Sequence, residues 1–275
     1  MRICVLGSGS SGNCTYVETE HARILIDAGL PYRVIARRLG ELGIAAESIE
    51  AIFVTHGHID HIRSLGTFER LFATPIFAPY ETQEIIERRL PGYPWNFYKP
   101  EQKFKDIEIV PFSVSHGKNS ECGLPVNFVL YSKNSKYAHL TDLGKWDEEI
   151  VELVSDANCI HAEANYDERI VALKLKNPEF FEQWDYLRWV ASDSGHLSNT
   201  QCAELLGRCT GSHTSHVFLA HLSENHRDAA RDNNAYHVAK TKIQRYLKQQ
   251  KKEFVLHRTY RRDATEGKKS DVVRI

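Results

Sequence analysis

The chain lacks a long apolar run, a C-x-x-C pair and an excess of either charge. Each absence removes a class of protein. No stretch approaches the roughly 18 consecutive apolar residues of a membrane-spanning helix. The N-terminal run Arg2-Ile3-Cys4-Val5-Leu6 stops at Gly7 and is too short for the core of a signal peptide. Six scattered cysteines, none in C-x-x-C spacing, suggest neither a zinc knuckle nor a disulfide framework. They fit a reducing compartment, so a cytoplasmic protein is expected. A formal net charge of -1 leaves partners to be read from local charge. Internal repeats, low-complexity linkers and composition breaks are also missing, so one domain over residues 1–275 is expected.

The 42% hydrophobic content supports a sizeable core. Ile3–Leu6, Thr15–Glu18 and Arg23–Ile26 read as strands. Pro31–Leu42 has helical spacing with Gly43 as its stop, and Ile49–Val54 is a strand ending in Thr55-His56. His61–Phe72 and Glu81–Leu90 read as helices around a strand at Ile76–Ala78. Strands follow at Ile107–Val114, Val126–Tyr131 and Lys136–Leu140, then a helix at Trp146–Val154 and a strand at Asn158–Glu163. Helices are predicted at Glu179–Val190, from Ser198 to about Arg208, and at Asp228–Lys248. Val217–Ala220 and Phe254–His257 complete the strands. This order suits two packed sheets with helices outside.

Gly7-Ser8-Gly9-Ser10-Ser11-Gly12 follows a strand and matches a dinucleotide fingerprint literally. That motif needs its last glycine to open a helix beneath the pyrophosphate. Here β-branched and aromatic Thr15-Tyr16-Val17 follows, with too little chain for a crossover helix. A tight hairpin is expected, and no nicotinamide cofactor. Its serines and backbone N–H groups suit a phosphate.

Histidine is abundant, with 14 in the chain, and three lie together in Thr55-His56-Gly57-His58-Ile59-Asp60-His61. On a loop leaving a strand, alternate residues converge on one point. His56 and His58 then share one ion, while Asp60 and His61 turn towards a second. Imidazole and carboxylate suit zinc, manganese or iron.

H-x-H-x-D-H after a strand resembles the signature of the metallo-β-lactamase-fold hydrolases. The family's remaining ligands have counterparts in order: His116 after Phe112–Ser115, Asp142 before Leu143-Gly144, and His221 after Val217–Ala220. The resemblance implies an αββα four-layer sandwich of two mixed β-sheets with outer helices. It implies two divalent ions, zinc or manganese, with His56, His58 and His116 on one. Asp60, His61 and His221 take the other, Asp142 bridges, and Asp27 is a buried structural aspartate. His139 alternates out of register with Asp142, and His213 and His216 precede the strand rather than follow it, so all three are read as surface or supporting groups. Two ions activate a bridging hydroxide and neutralise an oxygen of the electrophile.

Ser8–Cys14, Glu163-Ala164-Asn165-Tyr166-Asp167, Gly195-His196-Leu197-Ser198-Asn199 and Leu219–Ser223 resemble the YycJ-type branch. Tyr166 departs from an Asn-His-Asp pattern there. That resemblance implies a 5′-to-3′ DNA exonuclease. Asp60 and His196 are then the catalytic candidates. Ser10, Ser11, Asn13, His196, Ser198 and Asn199 are the phosphate-binding ones, the last two at a helix N-terminus. The interval from Asp142 to His221, about eighty residues, is too short for the inserted domain of a β-CASP nuclease.

Basic residues concentrated in the C-terminal third are candidates for a nucleic-acid path, DNA favoured over RNA. They include Lys240, Lys242, Arg245, Lys248, Lys251, Lys252, Arg258, Arg261, Arg262, Lys268 and Lys269, joined by Arg37-Arg38 and Arg88-Arg89. The aromatic stretch Tyr80, Tyr93, Trp95, Phe97 and Tyr98 reads as a loop packed on the core, with base stacking as the alternative. Two other functions compete: a small-molecule hydrolase of the same fold, acting on cyclic phosphodiesters or thioesters, and a non-catalytic nucleic-acid-binding module.

Overall fold

A computed structural model describes residues 1–95, 97–100, 102–223, 234–260 and 270–275. The chain forms two compact units. The first comprises Met1–Ser113, Lys118–Lys136 and Thr259–Ile275, and the second Val114–Gly117 and Tyr137–Arg258.

The first unit opens with β1 (Arg2–Gly7), β2 (Cys14–Glu18) and β3 (Arg23–Ile26), then α1 (Tyr32–Gly40) and β4 (Ala51–Phe53). After the histidine loop come α2 (Ile59–Ile62), α3 (Leu65–Phe72), β5 (Ile76–Phe77), α4 (Tyr80–Arg89) and β6 (Phe97–Tyr98). It continues with β7 (Gln102–Phe104), β8 (Ile107–Ser113), α5 (Asn119–Cys122) and β9 (Val126–Ser132). The second unit takes up β10 (Ser135–Leu140), α6 (Glu148–Val154), β11 (Cys159–Glu163), α7 (Glu168–Lys174) and α8 (Trp184–Val190). It ends with α9 (Asn199–Cys209), β12 (His216–Ala220), α10 (Asn234–Gln249) and β13 (Val255–Arg258), and β14 (Val273–Arg274) returns to the first unit.

One seven-stranded sheet has the order β14-β1-β2-β3-β4-β5-β6, and the other β13-β12-β11-β10-β9-β8-β7. Both are mixed: β1 to β3 pair antiparallel and β3 to β6 parallel. In the other, β7 to β9 pair antiparallel and β10 to β13 parallel. Two mixed sheets with helices are the make-up expected of the αββα fold.

Inside the first unit the apolar faces of both sheets supply its core. Phe53, Phe77 and Tyr98 stack across β4, β5 and β6 with centroids 4.5 and 5.0 Å apart. Phe104 and Phe128 meet Phe53 edge-on at 6.2 Å. Such pairs add roughly 0.5–1.5 kcal/mol each beyond area burial. The aromatic stretch that reads as a packed loop packs only in part: Trp95 and Phe97 rest against the apolar cluster of Leu25, Ile52 and Phe68, whereas Tyr80 opens α4 and is 69% exposed. Its last two residues form β6, too short a strand to show periodicity.

Two helical readings change, and a third is described only in part. His61–Phe72 is broken into α2 and α3 at Arg63-Ser64, where the Ser64 N–H donates to the Ala28 carbonyl instead of continuing the helix and the Ser64 hydroxyl donates to the Leu30 carbonyl. Glu179–Val190 begins as a 3₁₀ turn at Pro178–Gln183, with Asn177 accepting from the Glu179 N–H, before α8. The last long helix is described from Asn234, and Asp228 to Asn233 lie outside the described residues. Helix α7 was not expected. Asp167 caps it, accepting from the Arg169 and Ile170 N–H groups.

The Gly7–Gly12 loop joins antiparallel β1 and β2, and no helix starts there. Among the described residues, no helix is long and apolar enough to cross a membrane.

Candidate metal centre

In the first unit the loop after β4 carries four of the expected ligands within six residues. The His56 Nε2 and His58 Nδ1 atoms lie 2.8 Å apart, so the two rings turn to one point. His61 is fully buried, and its Nδ1–H donates to Asp27 Oδ2 at 2.7 Å. That bond leaves Nε2 with its lone pair, the state in which an imidazole ligates. Thr55 stands between them. Its hydroxyl donates to Asp27 Oδ2 at 2.8 Å and lies 3.1 Å from Nδ1 of both His56 and His61, while its N–H donates to Asp27 Oδ1.

Burial raises the Asp27 carboxyl above its ordinary range, opposed by His61 and by the bonds from Thr55. Asp27 sits just past β3 with φ 60°, a left-handed backbone that an aspartate tolerates better than most residues. The turn is held by a close backbone approach. Ala28 N–H donates to the His61 carbonyl and Asn13 N–H to the Asp60 carbonyl. At Gly29 a Cβ would stand 1.5 Å from the Asp60 carbonyl oxygen, so only glycine fits.

In the second unit the functional side chains gather at the carboxyl ends of parallel strands, where α/β sheets place their sites. β10, β11 and β12 run parallel in register and end close together. Past their ends come Asp142, Glu163 and His221, all buried. Asp142 (φ 53°) and His221 (φ 49°) share the left-handed backbone of Asp27. Each such residue costs on the order of 1–3 kcal/mol and persists only where surrounding structure holds it.

Donor atoms of Asp142, Glu163, His196 and His221 lie within 4.8 Å of one another. His221 Nε2 is 3.4 Å and His116 Nε2 3.7 Å from Asp142 Oδ1. The His116 Nδ1–H donates to the Gly195 carbonyl at 2.9 Å, which again frees Nε2. Burial lowers the His116 pKa, so the ring stays neutral and able to ligate. These orientations, with buried imidazole lone pairs beside carboxylate oxygens, fit a divalent cation.

Glu163 was quoted in sequence only as part of a segment, yet its carboxylate organises this unit. Its Oε1 accepts from His196 Nδ1 at 2.7 Å and lies 3.2 Å from His221 Nδ1, and its Oε2 accepts from the Leu143 N–H. Burial would raise its pKa, but His196 and His221 beside it hold it below the ordinary value. Asn165, also missed, donates from Nδ2 to the His221 carbonyl at 2.8 Å. The available signal was a carboxylate closing the strand Cys159–Glu163.

The expected phosphate contacts scatter. Ser10 is exposed and Ser11 half-buried. Asn13 is buried, with Nδ2 directed at His61 Nε2 (2.9 Å) and Asp60 Oδ2 (3.4 Å). Ser198 and Gln201 form a capping box on α9, which engages the serine hydroxyl, and Asn199 is buried behind it. Tyr166 packs with Val171, Leu187 and Val190.

The secondary histidines differ from one another. His213 is exposed beside Asp156, and half-buried His216 lies 3.0 Å from His257 Nε2. His139 is a correction to the surface reading: it is buried, in a trio with Tyr137 and His161. Burial pushes His161 down to about 3.

Several basic candidates are committed within the fold. Arg38 is buried and donates to the Leu6 carbonyl, which removes it from any nucleic-acid path. Arg88 and Arg89 bond carbonyls of α5, and Lys242 pairs with Glu168. Arg261, Arg262, Lys268 and Lys269 lie outside the described residues.

Comparison with known proteins agrees with this arrangement. The profile of the Beta-lactamase superfamily domain matches residues 22–222. Exodeoxyribonuclease YycJ of Bacillus anthracis is 29% identical over 254 residues, covering 90% of each chain. Exodeoxyribonuclease WalJ of Streptococcus pneumoniae is 32% identical over 228 residues, 80% of this chain and 81% of that one. Among solved structures, the metallo-beta-lactamase fold protein YhfI of Bacillus subtilis superposes with TM-score 0.65 at 12% identity, over 94% of this chain and 96% of its own.

Proposed function

Because this chain belongs to the beta-lactamase superfamily, in its YycJ-type branch, we propose that it is a dinuclear metal-dependent phosphodiesterase that shortens DNA from the 5′ end. That it is a metal-dependent hydrolase follows from the family. The nuclease reading is carried by His196. It is an imidazole beyond the expected ligand set, beside Asp142 and His221, with Nδ1 held at 2.7 Å by the buried Glu163 carboxylate.

On this proposal residues 1–275 act as one domain. His56, His58 and His116 would hold one divalent ion, Asp60, His61 and His221 would hold the second, and Asp142 would serve both. When bound, zinc or manganese lowers the pKa of water and neutralises charge on the phosphate. Asp27 and Thr55 keep His56 and His61 in their ligating tautomers. Glu163 accepts the Nδ1–H of the His196 imidazolium, whose Nε2–H goes to the leaving 3′ oxygen and leaves a neutral ring still bonded to Glu163. Asp60 holds its ion and the attacking side of the phosphate. Ser10, Ser11, Asn13, Ser198 and Asn199 remain proposed phosphate neighbours. Six buried cysteines, none of them in a disulfide, suit action in the reducing cytoplasm.

The test uses 5′-phosphorylated, 3′-labelled single-stranded DNA with manganese or zinc, beside Asp60→Ala and a matched RNA. Progressive 5′ shortening of DNA, lost in the variant, is expected. A folded, metal-loaded protein that leaves DNA intact overturns the exonuclease reading and moves RNA, cyclic phosphodiesters and thioesters forward.

A further inference from the structure

Helix α8 presents three faces. Leu187 and Val190 point inward, onto Tyr166 and Val171. Trp184 and Arg188 lie on one flank, with the guanidinium 5.7 Å from the indole centroid. Tyr186 and Trp189, three residues apart, share the other flank with ring centroids 6.0 Å apart and planes 34° apart. Tyr186 is 48% exposed, and Trp189 is half-buried.

This second flank runs into the site. The Trp189 ring stands at 86° to His196, with centroids 5.4 Å apart, and lies 6.0 Å from His116. The spacing is held by backbone. His196 N–H donates to the Val190 carbonyl at 2.9 Å. A Cβ on Gly195 would fall 2.1 Å from the Trp189 carbonyl oxygen, so the loop reaches His196 only because that position is glycine. A continuous aromatic edge therefore leads from solvent at Tyr186 to the imidazole assigned to the leaving group.

We propose that Tyr186 and Trp189 form a stacking platform for the terminal nucleobase of a single-stranded nucleic acid whose phosphate reacts beside His196. The proposal rests on the nuclease reading and names where the base goes. A nuclease that acts at an end must hold a nucleotide parted from its neighbours. Aromatic faces replace the lost base stack, and they do so for any base because every base has a π-face.

The experiment measures binding of 3′-fluorescein, 5′-phosphorylated single-stranded DNA by anisotropy, with the 5′-terminal nucleotide either normal or abasic. Wild-type protein is compared with Trp189→Ala, Trp189→Phe and Tyr186→Ala, and cleavage of both strands is followed in parallel. The wild type is expected to prefer the normal end by about tenfold, near the lower range for a base stacked on an aromatic ring. Trp189→Ala abolishes that preference, Trp189→Phe keeps most of it, and Tyr186→Ala reduces it severalfold. Tyr186 is exposed, so its variant reports even where Trp189→Ala fails to fold.

Wild-type protein that cleaves DNA yet binds both ends equally overturns the platform alone. So does Trp189→Ala weakening both ends equally with Tyr186→Ala silent, since Trp189 then only packs against His196. Protein that neither binds nor cleaves DNA overturns the nuclease reading itself. Sedimentation that changes in Tyr186→Ala without a change in binding assigns this flank to a second copy of the chain, against the proposal.

Discussion

The two units present their candidate ligands in opposite ways. The first concentrates His56, His58, Asp60 and His61 on one loop after β4, and a single buried aspartate, Asp27, orients it with help from Thr55. The second collects His116, Asp142, Glu163, His196 and His221 from five separate segments and ties them through Glu163. A contiguous loop gets its geometry from local backbone. A dispersed cluster gets it from strand register, so its members are exposed to changes anywhere in the sheet.

The sharpest way to break the comparison is at the dispersed side. Asp142→Ala removes the carboxylate beside His116, His196 and His221. It is expected to lower kcat by at least about 10²–10³-fold, the scale of losing one charge stabiliser in a site. Metal content and exonuclease rate measured together check this, and retention of both would remove Asp142 from the centre.

Next come the two orienting carboxylates. Asp27→Asn and Glu163→Gln each lose a charged acceptor but keep its shape. A loss of roughly 10–100-fold in metal affinity or rate is expected for each. Asp27→Asn should act mainly on metal affinity, read by chelator competition. Glu163→Gln should act more on kcat and on its pH profile, because it supports His196 as well as His221. Identical signatures for the two would erase the distinction between the units.

The smallest expected effect is on the scaffold of the second unit. Lys242 bridges α10 to Glu168 of α7, whose Oε1 accepts from the Thr200 N–H of α9. Burial alone would raise the Glu168 carboxyl, but the bonds from Lys242 and Thr200 hold it down at about 2. A depressed carboxylate pKa stabilises the fold above the unfolded value, near 4.3, and the gain is lost as pH falls from there through 2. The pair is partly exposed and screened, so Lys242→Ala should cost only about 1 kcal/mol at neutral pH. Urea unfolding at pH 7 and pH 3 tests this: the difference between variant and wild type should shrink at the lower pH.

Legibility followed the same division. The first set could be read because H-x-H-x-D-H is a spacing within one loop, and its strand, β4, is apolar throughout. Asp142 and His221 could be placed because each follows a strand in the order the family pattern asks for. Glu163 fell at the same kind of strand end but was read with the segment after it, so its partners went unassigned. The trio of Tyr137, His139 and His161 was hidden because alternation marks a face without saying that the face is buried. Helix α7 and the break between α2 and α3 depend on bonds of the Asp167 side chain and the Ser64 N–H that periodicity does not register.

The order of strands and helices, the rejection of a crossover helix after Gly12, and the histidine loop were determined by sequence alone, because each depends on residues close along the chain. Tertiary structure decided that β10, β11 and β12 end in register, that Gly29 admits the Asp60 backbone, and that Trp189 stands over His196. The first two are meetings of segments tens of residues apart, and the third depends on the tight turn at Gly195. Their geometry is set by parallel pairing and by the absence of a Cβ at points of closest approach, and no local spacing encodes either.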